Sequence, residues 1–312
     1  MFSRVPLTPT AAAALAVAVL GLFVLPACRG EADVPLFLIA GGDGTPVGAP
    51  EPVADGLYLV RGGGGNTAVF VTPSAVVVVD PKYAASWPAL AAAVRAITDR
   101  PITHAILTHS HSDHAEAVVD LPASVRIVAQ GRTLDRLLHF SYLPRGPATE
   151  QRLTRVDERL VLFEGDDTVT LFHPGAAHTD GDLVVSFDRA RVLHLGDLFP
   201  GPRFPIINIE GGGDGRHFPD ALQATLGAFP AAERVITGHG AVLGRQDLAD
   251  YAAFVRFSVD YVRAEMRMFK DKAAVFRALP LPDRFRDYDR TRQFDTLDEI
   301  DRSLRPRWQR IF

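Results

Sequence analysis

Residues 109 to 114 read His-Ser-His-Ser-Asp-His, four ligand-type side chains in six positions, directly after the apolar run that ends at Leu107. Gathering imidazoles and a carboxylate this densely is costly unless a common partner uses them. A strand end is a rigid place to gather them. In extended backbone residues i and i+2 point the same way, so His109 and His111 can offer imidazoles to one metal ion. A turn immediately afterwards would aim Asp113 and His114 at a second ion. The other histidines in apolar or isolated settings, His104, His139, His173, His194 and His217, are read as structural.

Three further candidates lie at the ends of apolar runs. His178 sits in Ala177-His178-Thr179-Asp180-Gly181-Asp182, Asp197 follows Leu195-Gly196, and His239 is flanked by Gly238 and Gly240. Loops at strand ends let a sheet aim side chains at one point, and glycines let the backbone turn sharply there.

The surrounding pattern is an alternation of strands and helices. Leu57 to Val60, Thr67 to Val71 and Ala75 to Val79 are short β-branched runs separated by turn residues. Tyr83 to Ile97 places Trp87, Leu90, Val94 and Ile97 on one helical face. Strands at 104–107 and 125–129 and a helix at 133–140 follow. Strands are then expected at 159–163, 168–172, 183–187 and 192–195, a helix at 219–228, and a strand at 235–236. Two halves, each with strands and helices, predict a two-sheet α/β sandwich rather than one parallel sheet. Beyond Arg245 the apolar residues recur at helical spacing. Pro280 and Pro282 interrupt this C-terminal extension, and its tail interleaves Asp and Arg with aromatic residues, a pattern expected to pack on the main domain through salt bridges.

Composition narrows the partners. With 37 acidic against 33 basic side chains and a net charge of −4, the chain has no basic footprint for nucleic acid, and none is expected as a partner. One cysteine, Cys28, excludes an internal disulfide and a cysteine-rich zinc module. That cysteine closes a leader. The run from Ala11 to Leu25 is apolar throughout and would span about 22 Å as a helix, short of the roughly 30 Å hydrocarbon core. Leu25-Pro26-Ala27-Cys28 resembles the lipobox of bacterial lipoproteins, which implies cleavage before Cys28 and lipidation of its sulfur. The alternative is an ordinary secretory signal cleaved nearby. The expected organisation is a signal peptide at 1–27, a tether at 28–52, a catalytic domain at 53–245 and a helical extension at 246–312. Either leader reading exports the folded part to the cell envelope, lipid-anchored in the membrane or periplasmic. No protein partner is inferable.

Taken in order, Asp80, His109-Ser110-His111-Ser112-Asp113-His114, His178, Asp197 and His239 resemble the pattern of the metallo-β-lactamase superfamily. The resemblance covers about Gly56 to Arg245. It implies a four-layer αβ/βα sandwich with the site at its edge. It further implies that His109, His111 and His178 hold one zinc ion, that Asp113, His114 and His239 hold the other, and that Asp197 bridges both. Asp80 would orient these ligands from behind, and Asp113 would also position the attacking hydroxide and shuttle its proton. Two zinc ions per chain are the expected cofactor, with iron or manganese possible.

The same resemblance narrows the reaction. True β-lactamases of one group replace the bridging Asp by Cys, whereas the chain keeps Asp197, as hydroxyacylglutathione hydrolases, lactonases and phosphodiesterases do. The loop Arg61-Gly62-Gly63-Gly64-Gly65-Asn66 lacks an aromatic flap and is read as a tight turn. The segment 199–213 is expected to form one apolar wall of the pocket, which favours an organic carbonyl substrate over a naked phosphate. The reading is a dinuclear zinc hydrolase that cleaves an acyl bond of lactone, thioester or β-lactam type in a small molecule. A non-catalytic metal-binding protein on the same fold, or a single-iron sulfur dioxygenase-like enzyme, is the alternative.

Overall fold

In a computed structural model, residues 43–266 and 271–305 are described. The leader and Cys28 lie outside them. Among these residues thirteen strands form two sheets. The first contains β1 (Glu51–Ala54), β2 (Leu57–Val60), β3 (Thr67–Val71), β4 (Val76–Val79), β5 (His104–Ile106), β6 (Arg126–Gln130) and β7 (Leu153–Val156), in that spatial order. Strands β1 to β4 form antiparallel pairs, and β4 to β7 run parallel. The second contains β8 (Arg159–Leu162), β9 (Val169–Phe172), β10 (Val184–Phe187), β11 (Val192–His194), β12 (Arg234–Ile236) and β13 (Val242–Gly244). Its order is β13-β12-β11-β10-β9-β8, and β11 and β12 form its parallel pair.

Eight helices accompany them among the described residues: α1 (Trp87–Ile97), α2 (Ser112–Ala115), α3 (Gly131–His139), α4 (Pro147–Glu150), α5 (Phe218–Ala228), α6 (Arg245–Met266), α7 (Lys272–Arg277) and α8 (Gln293–Leu304). Pro88 occupies the first turn of α1, where its missing N–H costs nothing, and the helix begins four residues later than the sequence pattern predicts. The Gln130 side chain caps the Arg132 amide at 2.5 Å, which starts α3 two residues before the expected Thr133.

Side-chain alternation builds the layers. Val77 and Val79 of β4 face the second sheet together with Leu57, Leu59 and Phe70, and meet Leu171, Val185, Phe187 and Ile236 there. Val76 and Val78 face the other way, onto Leu90 and Val94 of α1. All four valines of β4 are therefore buried, as a strand covered on both faces requires. Helix α3 covers β5 and β6 with Leu134 and Leu137. On the outer face of the second sheet Leu193 and Val235 pack against Leu222 of α5 and Leu248, Val255 and Val259 of α6. The result is the expected four-layer α/β sandwich.

The structure departs from the expectations in several places. Strands β7 and β13 were not anticipated: Leu-Thr-Arg-Val and Val-Leu-Gly are short edge segments whose half-exposed side chains give little apolar signal. Strand β1 starts at Glu51, inside the expected tether, and the residues before it are engaged rather than free. The Gly48 amide donates to the Arg61 carbonyl at 2.8 Å, and the Gly63 amide donates to Thr45 Oγ1 at 2.9 Å. The C-terminal helices share one apolar core with α5, with Phe276, Phe285, Leu297 and Ile300 fully buried in it.

Candidate metal centre

The parallel strands β4, β5, β11 and β12 end at the same edge of the sandwich, and the loops after them carry the chemistry. Asp80 follows β4, His109 and His111 follow β5, and the single turn of α2 presents Asp113 and His114. His178 lies between β9 and β10. Asp197 sits in a tight helical turn after β11, and His239 follows β12. All seven expected ligands converge. His109, His111, His178 and Asp197 form one group whose donor atoms lie within 4.8 Å of one another, and Asp113, His114 and His239 form a second. The centroids of the His109, His111 and His178 rings stand 4.6 to 4.7 Å apart, a near-equilateral triangle with the rings close to perpendicular. Asp197 reaches both groups: Oδ2 is 3.8 Å from His178 Nε2 and Oδ1 is 3.2 Å from His239 Nε2.

Hydrogen bonds from behind decide which ring nitrogen faces inward. Thr108 Oγ1 donates to Asp80 Oδ2 at 2.7 Å, so it accepts from His109 Nδ1 at 3.0 Å, leaving the His109 Nε2 lone pair toward the cluster. His178 Nδ1 donates to the Ile206 carbonyl at 2.8 Å, and His114 Nδ1 donates to Asp80 Oδ2 at 2.8 Å. The Asn208 carboxamide is hydrogen-bonded to His111 Nε2 at 2.7 Å, which turns Nδ1 toward His178 Nε2, 3.0 Å away. Asp80 is fully buried behind the candidate ligands, bonded to His114 and to Thr108.

The two groups differ electrostatically. Burial, reinforced by the neighbouring imidazoles, holds His109 well below the usual histidine range and brings His111 down to about 3, so both are neutral donors. In the second group burial is overridden by carboxylates. Asp113, Asp197 and Asp80 lift His114 well above its usual value, and Asp197 and Asp113 lift His239 to about 9. Burial also opposes ionisation of Asp113 and Asp197, yet His114 and His239 keep both carboxyls well below the usual range. Three carboxylates concentrated at a water-poor edge demand positive charge. His109 Nε2 is a buried donor atom without a hydrogen-bond partner, and it is aimed at the cluster. An orphaned imidazole nitrogen, converging nitrogen and oxygen donors, and carboxylates whose charge is met by protons on His114 and His239 fit a pair of divalent cations of the kind that accept mixed His/Asp ligation.

Several supporting residues carried no sequence signal that singled them out. The glycine loop after β2 is more than a tight turn: the Gly65 amide donates to the Asp113 carbonyl at 2.9 Å, and a Cβ on Gly65 would lie 2.2 Å from the His114 ring. Lys82, fully buried and brought down to about 8 chiefly by that burial, donates to the carbonyls of Val60 at 3.0 Å and Gly65 at 2.5 Å and anchors this loop. Its place two residues after Asp80 was visible, but not the distant carbonyls that it satisfies.

Above the cluster opens a pocket of about 530 Å³. Tyr83, His111, Asp113, Asp197 and His239 form its floor and near side. Phe204, Ile206 and Ile207 form the apolar wall anticipated from the sequence, Asn208 adds its carboxamide beside them, and Arg203, Arg292 and Glu299 add charge. The last two come from the C-terminal extension, where sequence reasoning foresaw only packing. A slightly larger pocket of about 580 Å³, bordered by Asp55, Asp166 and Arg189, contains none of the histidines.

Comparison with protein-family models matches residues 60–239, more than half of the chain, to the metallo-beta-lactamase superfamily. The chain belongs to that superfamily and has the fold and site of a metal-dependent hydrolase. Among solved structures it is similar to TMB-1, with 18% identity, a TM-score of 0.57 and coverage of 68% of this chain and 97% of the other. It is similar to the metallo-beta-lactamase from Hirschia baltica at 21% identity, with a TM-score of 0.56 and coverage of 67% and 98%. The inverting sec-alkylsulfatase Pisa1 from Pseudomonas sp. aligns over 82% of this chain and 50% of its own, at 14% identity and a TM-score of 0.69. At these identities the likeness is one of fold.

Proposed function

We propose that the protein is an exported dinuclear zinc hydrolase that cleaves an acyl bond of a small organic substrate, of lactone, thioester or β-lactam type. The observation that carries this reading is Asp197, whose two carboxylate oxygens reach His178 in one donor group and His239 in the other. His109, His111 and His178 would hold one ion and Asp113, His114 and His239 the second, with Asp197 shared. Zinc pairs at such sites supply Lewis acidity, which makes water nucleophilic at neutral pH and polarises a carbonyl.

The protein's own groups then have defined tasks. Asp113, kept ionised by His114 and His239 and bordering the pocket, accepts the proton of the attacking water and returns it to the leaving group. Burial and the nearby Asp113 raise the Tyr83 phenol above its usual value, so it stays protonated at the pocket edge as a hydrogen-bond donor. The wall of Phe204, Ile206 and Ile207 excludes water and accommodates an apolar acyl part.

Metal analysis of the purified protein, paired with hydrolysis of lactones, thioesters, nitrocefin and phosphodiesters by wild type and Asp197→Ala, tests the proposal. Two zinc ions per chain and acyl hydrolysis lost in Asp197→Ala are expected. One iron with oxygen consumption, or activity indifferent to Asp197→Ala, would refute it. We also assign the leader through Cys28 to export and lipid anchoring, which places the enzyme in the cell envelope. Acyl mass on an N-terminal Cys28 is the expected result of intact-mass measurement, and a retained Met1 would overturn it.

A further inference from the structure

The segment Phe204 to Asn208 touches two of the metal-ligand candidates from behind. The Ile206 carbonyl accepts from His178 Nδ1 at 2.8 Å, the Asn208 carboxamide is bonded to His111 Nε2 at 2.7 Å, and the Asn208 amide donates to the His178 carbonyl at 2.9 Å. Between these residues lies Ile207, whose amide points away from the cluster and donates to Glu299 Oε2 of α8 at 2.9 Å. Arg292 donates to the other Glu299 oxygen at 2.8 Å and thereby fixes the carboxylate. Thr296, one turn earlier on the helix, donates to the Pro205 carbonyl at 2.5 Å.

We infer that Glu299 is a positioning residue of the metal centre: by holding the Ile207 amide, it sets the backbone that orients His178 and His111. It lies well outside the residues matched to the superfamily, so the C-terminal extension is part of the site's scaffold in this protein. The physical reason is leverage. Ile207 separates the two orienting residues by one peptide on each side, so a shift of its amide moves both the Ile206 carbonyl and the Asn208 side chain. Without Glu299 the amide would lose its acceptor in a place where little water reaches it.

The inference rests on reading the cluster as a metal centre, and chelator-competition titration of zinc binding separates the two. Wild type that binds no zinc refutes the centre itself. If it binds, Glu299→Ala is expected to weaken affinity about 10-fold, the lower end of what residues behind ligands contribute. Glu299→Gln keeps an acceptor for the Ile207 amide and should stay within about 2-fold of wild type. Ser303→Ala is the control for docking of the helix: it removes the bond that the Gly215 amide donates at 3.0 Å and the one that Ser303 Oγ donates to the Glu299 main-chain carbonyl at 2.9 Å, and leaves the Glu299 carboxylate and its bond to the Ile207 amide in place. Unchanged affinity in Glu299→Ala overturns the inference. So does equal weakening in Glu299→Gln, which would assign the effect to charge, or in Ser303→Ala, which would assign it to docking of the helix. Should Glu299→Ala fail to fold, Glu299→Asp, whose shorter side chain retracts the acceptor, should show the same loss, and wild-type affinity there would be equally decisive against it.

Discussion

Asp80 Oδ2 accepts a hydrogen bond from His114 Nδ1 at 2.8 Å, with both side chains fully buried. The other oxygen accepts from the Thr108 amide at 2.8 Å, and Thr108 Oγ1 in turn receives His109. One carboxylate behind β4 therefore orients an imidazole in each donor group. It does so from a left-handed backbone conformation, φ 58°, that ordinary residues adopt only when their surroundings require it.

Asp80→Ala should leave the Thr108 amide and hydroxyl and His114 without their buried partner. A stability loss of about 2 to 4 kcal/mol is expected in denaturant titration of the metal-free protein, with zinc affinity reduced about 10- to 100-fold. Asp80→Asn, able to accept through one oxygen, should lose less of both.

Gly65→Ala tests the close approach of the glycine loop. The added methyl would meet His114 Nε2 at 2.5 Å and displace the ring from Asp113 and His239. We expect the site containing His109, His111 and His178 to survive, so mass spectrometry under native conditions should show one zinc ion where wild type holds two. Two tightly held ions in Gly65→Ala would contradict the assignment of His114 as a ligand.

Metal removal should be felt as a loss of stability. Free zinc at about 100 times its dissociation constant stabilises the folded chain by about 2.7 kcal/mol per site. Differential scanning fluorimetry with and without a chelator should therefore shift by roughly 5 to 10 °C per site for a domain of this size. Coinciding melting curves would argue against metal binding altogether.

The Glu299 carboxyl predicts a pH dependence. Burial raises it to about 7 from the usual 4.5, against the pull of the Ile207 amide, Arg292 and Arg302 and with a further push from Asp295. The folded state holds this proton more tightly than the unfolded chain, so the associated stability is complete at acid pH and is lost as pH rises from about 4.5 through about 7. The loss is about 3 kcal/mol at most. Glu299→Gln cannot ionise, and the stability of wild type relative to it should fall across this window and level off above it. Parallel stability curves for the two proteins would contradict the elevated value.

Phe254 joins the pocket wall to the extension, with its ring edge-on to Phe204 at 4.8 Å, Phe285 at 5.3 Å and Tyr288 at 4.9 Å. Phe254→Ala should cost about 3 to 5 kcal/mol by denaturant unfolding. Because Phe204 borders the pocket, a rise in KM larger than the fall in kcat is also expected.

Much of this architecture is written in local patterns. The consecutive valines of β4, the helical spacing of Leu90 and Val94, and the dense His109 to His114 cluster each act over a few residues, where backbone geometry alone dictates which side chains share a face. Asp197 and His239 were legible as strand-end residues and His178 as one preceding a strand, whereas Asp80 was singled out through the resemblance to the superfamily pattern. The sequence by itself thus determined the sandwich, the edge that carries the site and its candidate ligands. Only the tertiary structure decided how those ligands are held: Glu299 meets the Ile207 amide across 92 positions and Gly65 lies against the His114 ring. Such partners are selected by the packing of separate layers, and a backbone amide or carbonyl looks the same at every position of a sequence. The tight-turn reading of the glycine loop covers Gly62, Gly63 and Gly64, whose positive φ the turn itself requires, but not Gly65, where the demand for glycine comes from a ring some fifty residues away.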